Sequence, residues 1–147
     1  MRVLAIDFGM RRMGVAVSDA LGITAQGLPT LLRTRLEDDL QKIQKLTEEY
    51  STERVIVGNP LGHAAGQTMM SRHAGEFAEK LRRRVNCPVA LWDERLTSVQ
   101  ANRALRQTGL SLAKRQRAVD RVAATLLLQS YLDFLANARS RDVEVTP

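Results

Sequence analysis

One cysteine, Cys87, stands alone among 147 residues, and three Phe, two Tyr and one Trp are the only aromatics. A single thiol excludes an internal disulfide and a cysteine-based zinc site, and it is simplest in a reducing compartment. With so few aromatics, several of them needed in a core, no RNA-reading aromatic motif is visible. Long apolar runs are missing as well. The most apolar stretch, Val122 to Leu128, is interrupted by Thr125 and falls far short of the roughly 20 residues a bilayer span requires. The N-terminus reaches Asp7 within seven residues, too soon for the apolar segment of a secretion signal. The expectation is a soluble, cytoplasmic protein with no membrane partner.

What is present suits one domain. A chain of 147 residues with 44% hydrophobic content buries about two-thirds of its unfolded surface, enough for a core without covalent staples. Residues 1–138 are expected to form that domain, with 139–147 a polar, flexible tail that starts to fray near Asn137.

Charge is the first functional signal. The net charge is +6 and the isoelectric point near 10.2, a balance that favours a polyanionic partner through counterion release. Of the 22 cations, 18 are Arg, whose planar fork suits phosphate. They are unevenly placed: Arg103 to Arg121 carries a net +5, whereas Arg33 to Glu53 carries −2. A merely solvated basic face is the plain alternative.

Hydropathy orders the elements. Arg2 to Asp7 reads as a buried strand ending on an acid, and Gly14 to Ser18 as its antiparallel partner across a turn opened by Gly9. Thr24 to Leu32, with Gly27 and Pro29 inside it, reads as an irregular edge strand. Leu36, Leu40, Ile43, Thr47 and Tyr50 mark an amphipathic helix, followed by a strand at Arg54 to Gly58. Met70, Ala74, Phe77, Leu81 and Val85 mark a second helix, followed by a strand at Pro88 to Trp92. Thr97 and Gln100 form a capping box for a helix beginning near Ser98 and ending before Gly109. Ser111 to Arg117 reads as a basic loop, and a last helix runs from about Val119 to Leu135. Asn59 to Thr68 is the one long irregular segment, of a kind that is often functional.

Three acids stand out by placement. Asp7 ends the first strand, Glu94 follows the strand Val89 to Trp92, and Asp120 opens the last helix. Sites in open α/β sheets form beyond the C-terminal ends of parallel strands, which lie about 4.8 Å apart, so Asp7 and Glu94 are expected to approach one another. Converging carboxylates repel unless a hard cation neutralises them, which points to Mg²⁺ or Mn²⁺ and to phosphodiester hydrolysis. Each acid has a plainer role open to it: Asp7 as acceptor for turn N–H groups, and Asp120 as a partner of the helix dipole. Strand alternation gives Asp93 and Glu94 opposite faces, so only one of them points at Asp7. His63 and His73 lie outside these positions and read as surface residues.

Four blocks taken together resemble the YqgF family, also called RuvX-like, of Holliday junction resolvases and pre-16S rRNA nucleases. They are Asp7-Phe8-Gly9-Met10-Arg11-Arg12-Met13-Gly14-Val15-Ala16-Val17-Ser18-Asp19, Val57-Gly58-Asn59-Pro60-Leu61, Leu91-Trp92-Asp93-Glu94-Arg95-Leu96-Thr97, and Asp120 to Asp133 with its Ala123-Ala124 and Leu128-Gln129-Ser130-Tyr131-Leu132-Asp133. The resemblance spans residues 2 to 135. It implies an RNase H-like α/β fold, with a five-stranded mixed sheet of three antiparallel and two parallel strands and helices on both faces. It also implies Asp7, Glu94 and Asp120 as catalytic, metal-binding acids. One departure stands out: the family usually carries an Asn-Met-Asp-Gly type segment where this chain has Gly62-His63-Ala64-Ala65-Gly66, so an acid is missing from that loop.

The reading is a divalent-metal nuclease acting on branched DNA or precursor 16S rRNA. Arg11, Arg12, Arg95, Lys114, Arg115 and Arg117 are its expected nucleic-acid contacts, and Asn59, Gly62 and Gly66 its substrate loop. Symmetric cleavage of a four-way junction would call for a homodimer. Two alternatives stand beside it. A non-catalytic nucleic-acid-binding module fits the charge but not the intact acids. An actin-like or sugar-kinase-like phosphotransferase fits the Asp-x-Gly hairpin, but 147 residues supply only one of the two domains such a protein closes around its nucleotide.

Overall fold

Three strands come first, and helices and strands then alternate, as the hydropathy pattern requires. The computed structural model describes residues 1–59, 69–93 and 112–145, with 93, 112–121 and 140–145 described as backbone. In chain order the elements are β1 (Val3–Phe8), β2 (Arg12–Ser18), β3 (Ala25–Leu32), α1 (Leu36–Glu49), β4 (Arg54–Asn59), α2 (Met69–Arg82), β5 (Val89–Asp93) and α3 (Leu112–Val145). The sheet order is β3-β2-β1-β4-β5. The pairs β1–β2 and β2–β3 are antiparallel, whereas β1–β4 and β4–β5 are parallel.

Period-two alternation in β1 divides the molecule into two cores. Leu4, Ile6 and Phe8 face α1 and α2, joining Val55, Val57, Leu40, Ile43, Phe77 and Leu81 in the larger cluster. Val3 and Ala5 face the opposite way and meet Ala16, Ile56, Ala124, Leu127, Leu128, Tyr131 and Leu132, most of them on α3. Each large side chain buried this way contributes roughly 1.5–3 kcal/mol, and among the described residues the first face buries more of them. On the second face Ala5, Ala16 and Ala124 let α3 lie close to the sheet.

The expected edge strand is β3, and its irregularity has a cause. The register slips from Met13–Leu31 to Val15–Leu28, so one extra residue sits on β3 near Pro29, which has no N–H to give to a ladder. At the opposite end of the hairpin Ser18, buried, accepts the Val3 N–H at 2.8 Å through its hydroxyl.

Two boundaries differ from the sequence reading. The segment Ser111 to Arg117, expected as a loop, is helical from Leu112 onward. Leu112-Ala113-Lys114-Arg115-Gln116-Arg117 is composed of strong helix formers, and a run of positive charge does not make a backbone irregular. The tail also continues as helix to Val145, because no Gly or Pro interrupts Asn137 to Val145 and polar residues continue a helix at little cost. The helix expected over 98–109 lies outside the described residues.

Candidate active site

Asp7 is the penultimate residue of β1 and is half-buried. By alternation it shares the α3 face with Val3 and Ala5, and its partner across the hairpin is Gly14. On the other side the parallel register runs to Ile6–Val57, and one step further brings Gly58 level with Asp7. Glycines thus stand level with Asp7 on both flanking strands, Gly14 across the hairpin and Gly58 by extension of the parallel register.

The chain turns back at once after Phe8. A Cβ on Gly9 would lie 2.6 Å from the Arg12 carbonyl oxygen, a separation only glycine avoids. Arg33, next to the end of β3, grips this turn. Its Nη1 donates to the Gly9 carbonyl at 2.9 Å, its backbone N–H donates to the Arg11 carbonyl at 2.8 Å, and its guanidinium lies 4.5 Å from the centre of the Phe8 ring. Its Nε donates to Asp39 at 2.8 Å. Asp39 is fully buried in the first turn of α1 and also accepts from the backbone N–H and the hydroxyl of Thr34. Phe8 in turn packs against Phe77 with centroids 4.8 Å apart.

Sequence reasoning missed Arg33 and Asp39. Both lie in the stretch of net −2, where an Asp in the first helical turn is fully explained by the dipole. The only available signal was the closeness of Arg33 to the end of a strand paired with the Asp-x-Gly turn.

The strand order sets the spacing between the strand that Asp7 ends and the one that Glu94 follows in sequence. β5 is not the neighbour of β1, since β4 lies between them, and the two strands stand roughly 9.6 Å apart, twice the usual spacing. Glu94 and Arg95 lie outside the described residues, as do Gly62 and Gly66. Asn59 is not a loop residue. It ends β4, pairs with Asp93 in the register, and its side-chain oxygen accepts a 2.8 Å bond from the buried Ser71 hydroxyl. Arg11 is exposed in the turn, and Arg12 opens β2 opposite Leu32. Lys114, Arg115 and Arg117 belong to the first two turns of α3, and Asp120 is its ninth residue. An acid that deep in a helix no longer answers the dipole, whose influence fades within the first turn.

Asp7 alone of the three acids has a described side chain, and among the described residues no group of three His, Cys, Asp or Glu is placed to hold a metal. A half-exposed carboxylate at a strand end is nevertheless the hard oxygen donor that Mg²⁺ or Mn²⁺ prefers. The N–H of Ile23, with that of Thr24, holds the surface carboxylate of Asp19 below its ordinary range, and burial pushes the Cys87 thiol up.

The family model described as "RuvX: Holliday junction resolvase" matches residues 1–134. The chain belongs to the RuvX family. A relative from Koribacter versatilis (strain Ellin345), named "Putative pre-16S rRNA nuclease", is 48% identical over 132 residues, covering 90% of this chain and 86% of its own. Another of that name from Clostridium novyi (strain NT) is 44% identical over 133 residues, 90% of this chain and 98% of its own. Among solved structures, Thermus thermophilus RuvC in complex with a Holliday junction substrate superposes with a TM-score of 0.55 at 18% identity, covering 90% of this chain and 93% of that one. The Fowlpox virus resolvase bound to Holliday junction DNA gives 0.54 at 12% identity, covering 92% and 99%. At those identities the likeness concerns the fold, which for this RuvX chain is RNase H-like with the expected mixture of strand directions. Among the described residues no helix is long and apolar enough to cross a membrane.

Proposed function

We propose that this RuvX chain is a divalent-metal nuclease whose metal-binding and catalytic acids are Asp7, Glu94 and Asp120. The observation that carries the reading is the placement of Asp7, half-buried at the C-terminal end of the central strand, on the α3 face, with Gly14 opposite it. Two regularities support the other acids. Trp92 packs with the α3-side cluster while Val89 belongs to the other, which supports choosing Glu94, two residues after Trp92 in sequence, over Asp93. Asp120 precedes Ala124 by four residues and Leu127 by seven, the spacing of one helical stripe, and both of those residues belong to the cluster that includes Val3 and Ala5.

When bound, Mg²⁺ or Mn²⁺ supplies positive charge to the scissile phosphate and lowers the pKa of the attacking water. The chain's own residues hold and orient. Asp7, Glu94 and Asp120 provide hard oxygen ligands. Arg11 and Arg12 flank the turn beside them, and Lys114, Arg115 and Arg117 stand one to two helical turns ahead of Asp120, where they would position the strand. Arg95 adds a further phosphate contact, and the segment Asn59 to Thr68, with Gly62 and Gly66, selects the substrate. The natural substrate is structured RNA, the 5′ end of precursor 16S rRNA, in the cytoplasm. The names of relatives at 40–48% identity favour it. A second reading, four-way junction DNA cut by a homodimer, is favoured by the description of the family model.

A cleavage panel decides between them: precursor rRNA ends, junction DNA and linear DNA, each with Mg²⁺, Mn²⁺ or chelator, with sequencing of the cut sites. Metal-dependent cuts at the rRNA end, abolished in Asp7→Asn, are expected. Paired symmetric cuts in the junction with intact rRNA would transfer the function to the second reading, and binding without any cut would reduce the protein to a nucleic-acid-binding module.

A further inference from the structure

The ion pair between Arg33 and Asp39 lies outside the proposed set of acids and cations, and it is unusually well tied down. Asp39 has no exposed surface, and its two carboxylate oxygens take three hydrogen bonds, from Arg33 Nε and from the N–H and hydroxyl of Thr34. A carboxylate so enclosed fixes its partner's guanidinium in one orientation. That orientation presents Nη1 to the Gly9 carbonyl and the flat face of the group to the Phe8 ring, while the backbone N–H of the same residue holds the Arg11 carbonyl. One residue thus contacts Phe8, Gly9 and Arg11, which directly follow Asp7.

From this geometry we infer that Arg33, oriented by Asp39, is a positioning residue for the Asp7 carboxylate rather than a phosphate-binding cation. Its charge is spent on a buried anion, and its side chain is 17% exposed, so little of it is left for a polyanion. The α1 helix, through Asp39, becomes the rigid support of a turn made of small and flexible elements. Preorganisation by such supports governs how accurately a site is held. The inference rests on the reading of Asp7 as a metal-binding catalytic acid.

The test uses the full chain with two variants. Arg33→Lys keeps the charge opposite Asp39, but a single ammonium cannot bond Asp39 and Gly9 together and also lie flat on Phe8. The double variant Arg33→Met/Asp39→Asn removes both charges and leaves no buried ion alone, which protects the fold. Hydrogen exchange of the peptide covering 7–13, measured without metal, should speed up about ten-fold or more in both. Mn²⁺ affinity, read by calorimetry, should weaken about ten-fold, and kcat should fall roughly 10- to 100-fold, with KM for nucleic acid and the salt dependence of binding unchanged. Unchanged exchange in the 7–13 peptide overturns the inference. So does a loosened turn with wild-type metal affinity and kcat, and so does a raised KM with a shallower salt slope, which would make Arg33 a phosphate ligand. An Asp7→Asn protein is run alongside: if it cuts at the wild-type rate, the reading of Asp7 has failed, whereas an inactive Asp7→Asn beside unaffected Arg33 variants sinks the positioning role alone.

Discussion

The two faces of the sheet are built from different materials. Toward α1 and α2, β1 sends Leu4, Ile6 and Phe8, each larger than a valine and all buried; toward α3 it sends Val3, Ala5 and Asp7, a series that shrinks and then becomes charged. β2 repeats the pattern, with Met13, Val15 and Val17 on the first face and Gly14 and Ala16 on the second. The first face is a close-packed interior in which volume is tightly specified. The second trades side-chain volume for the approach of a helix and for an open strand end. One strand therefore anchors the fold with its even residues and holds the candidate chemistry with its odd ones.

That division can be broken at several points. The largest effect is expected on the second face: Asp7→Asn should lower the cleavage rate on the order of a thousand-fold, about 4 kcal/mol of transition-state stabilisation, with nucleic-acid affinity within a few-fold and the melting temperature nearly unchanged. Steady-state kinetics beside a binding titration checks it, and equal losses of rate and of fold would erase the distinction between faces. Next comes the first face. Phe77→Ala removes a ring packed on Phe8 and should cost about 3–5 kcal/mol of stability. Denaturant titration measures it, and activity per folded molecule should survive below the transition.

Ala5→Leu probes the junction of the two. Inserting methylenes beneath α3, where Ala5 meets Ala16, Ala124 and Leu127, should cost about 1–3 kcal/mol and also slow cleavage, because the helix that carries Asp120 is pushed away. A variant that loses stability and keeps its full rate would show that the spacing of α3 is immaterial to the site.

The outline of the sheet was readable from residue type alone. Alternation in β1, the glycine turn and the stripes Leu36–Leu40–Ile43 and Ala74–Phe77–Leu81 led to the right elements, since apolar periodicity reports which side of an element is buried. The strand order was not readable. Nothing in Val55-Ile56-Val57 or Val89-Ala90-Leu91 states which of the two pairs with β1, because both are buried runs of the same chemistry. The start of α3 was missed for a different reason: Lys114, Arg115 and Arg117 were weighed as charges, whereas the backbone responds to their helix propensity. The role of Arg33 emerges only in three dimensions, since its partners Phe8, Gly9 and Arg11 lie over twenty residues away in sequence.

Smaller effects sharpen the comparison at its margins. Replacing Arg115 and Arg117 together by Ala should weaken binding to all duplex sequences alike and lower the log–log salt slope by roughly one to two units, about 0.9 for each phosphate no longer neutralised. An unchanged slope across a salt titration would return the start of α3 to an ordinary solvated helix. The smallest effect concerns Asp19, at the opposite end of the hairpin from Asp7. Its carboxylate accepts the Ile23 N–H at 2.7 Å and also the Thr24 N–H, which lowers its pKa from 3.8. A depressed acid contributes stability that is present above the unfolded value and is lost as pH falls through the folded one. Asp19→Asn should therefore flatten the pH dependence of melting just below pH 3.8 by a small amount and leave it unchanged at neutral pH.

The single tryptophan of the chain has an optical consequence. Trp92 sits near the end of β5, donates its indole N–H to the Ser130 hydroxyl at 3.3 Å and stacks at 5.1 Å from both Tyr131 and the exposed Phe134. Light absorbed beyond the tyrosine band is emitted from this one corner, where β5 meets α3, and from nowhere else in the molecule. The protein thus carries an intrinsic fluorophore two residues before Glu94 in sequence, and a titration followed by its emission colour, quenching and anisotropy tests, with no label added, whether metal or nucleic acid approaches this corner.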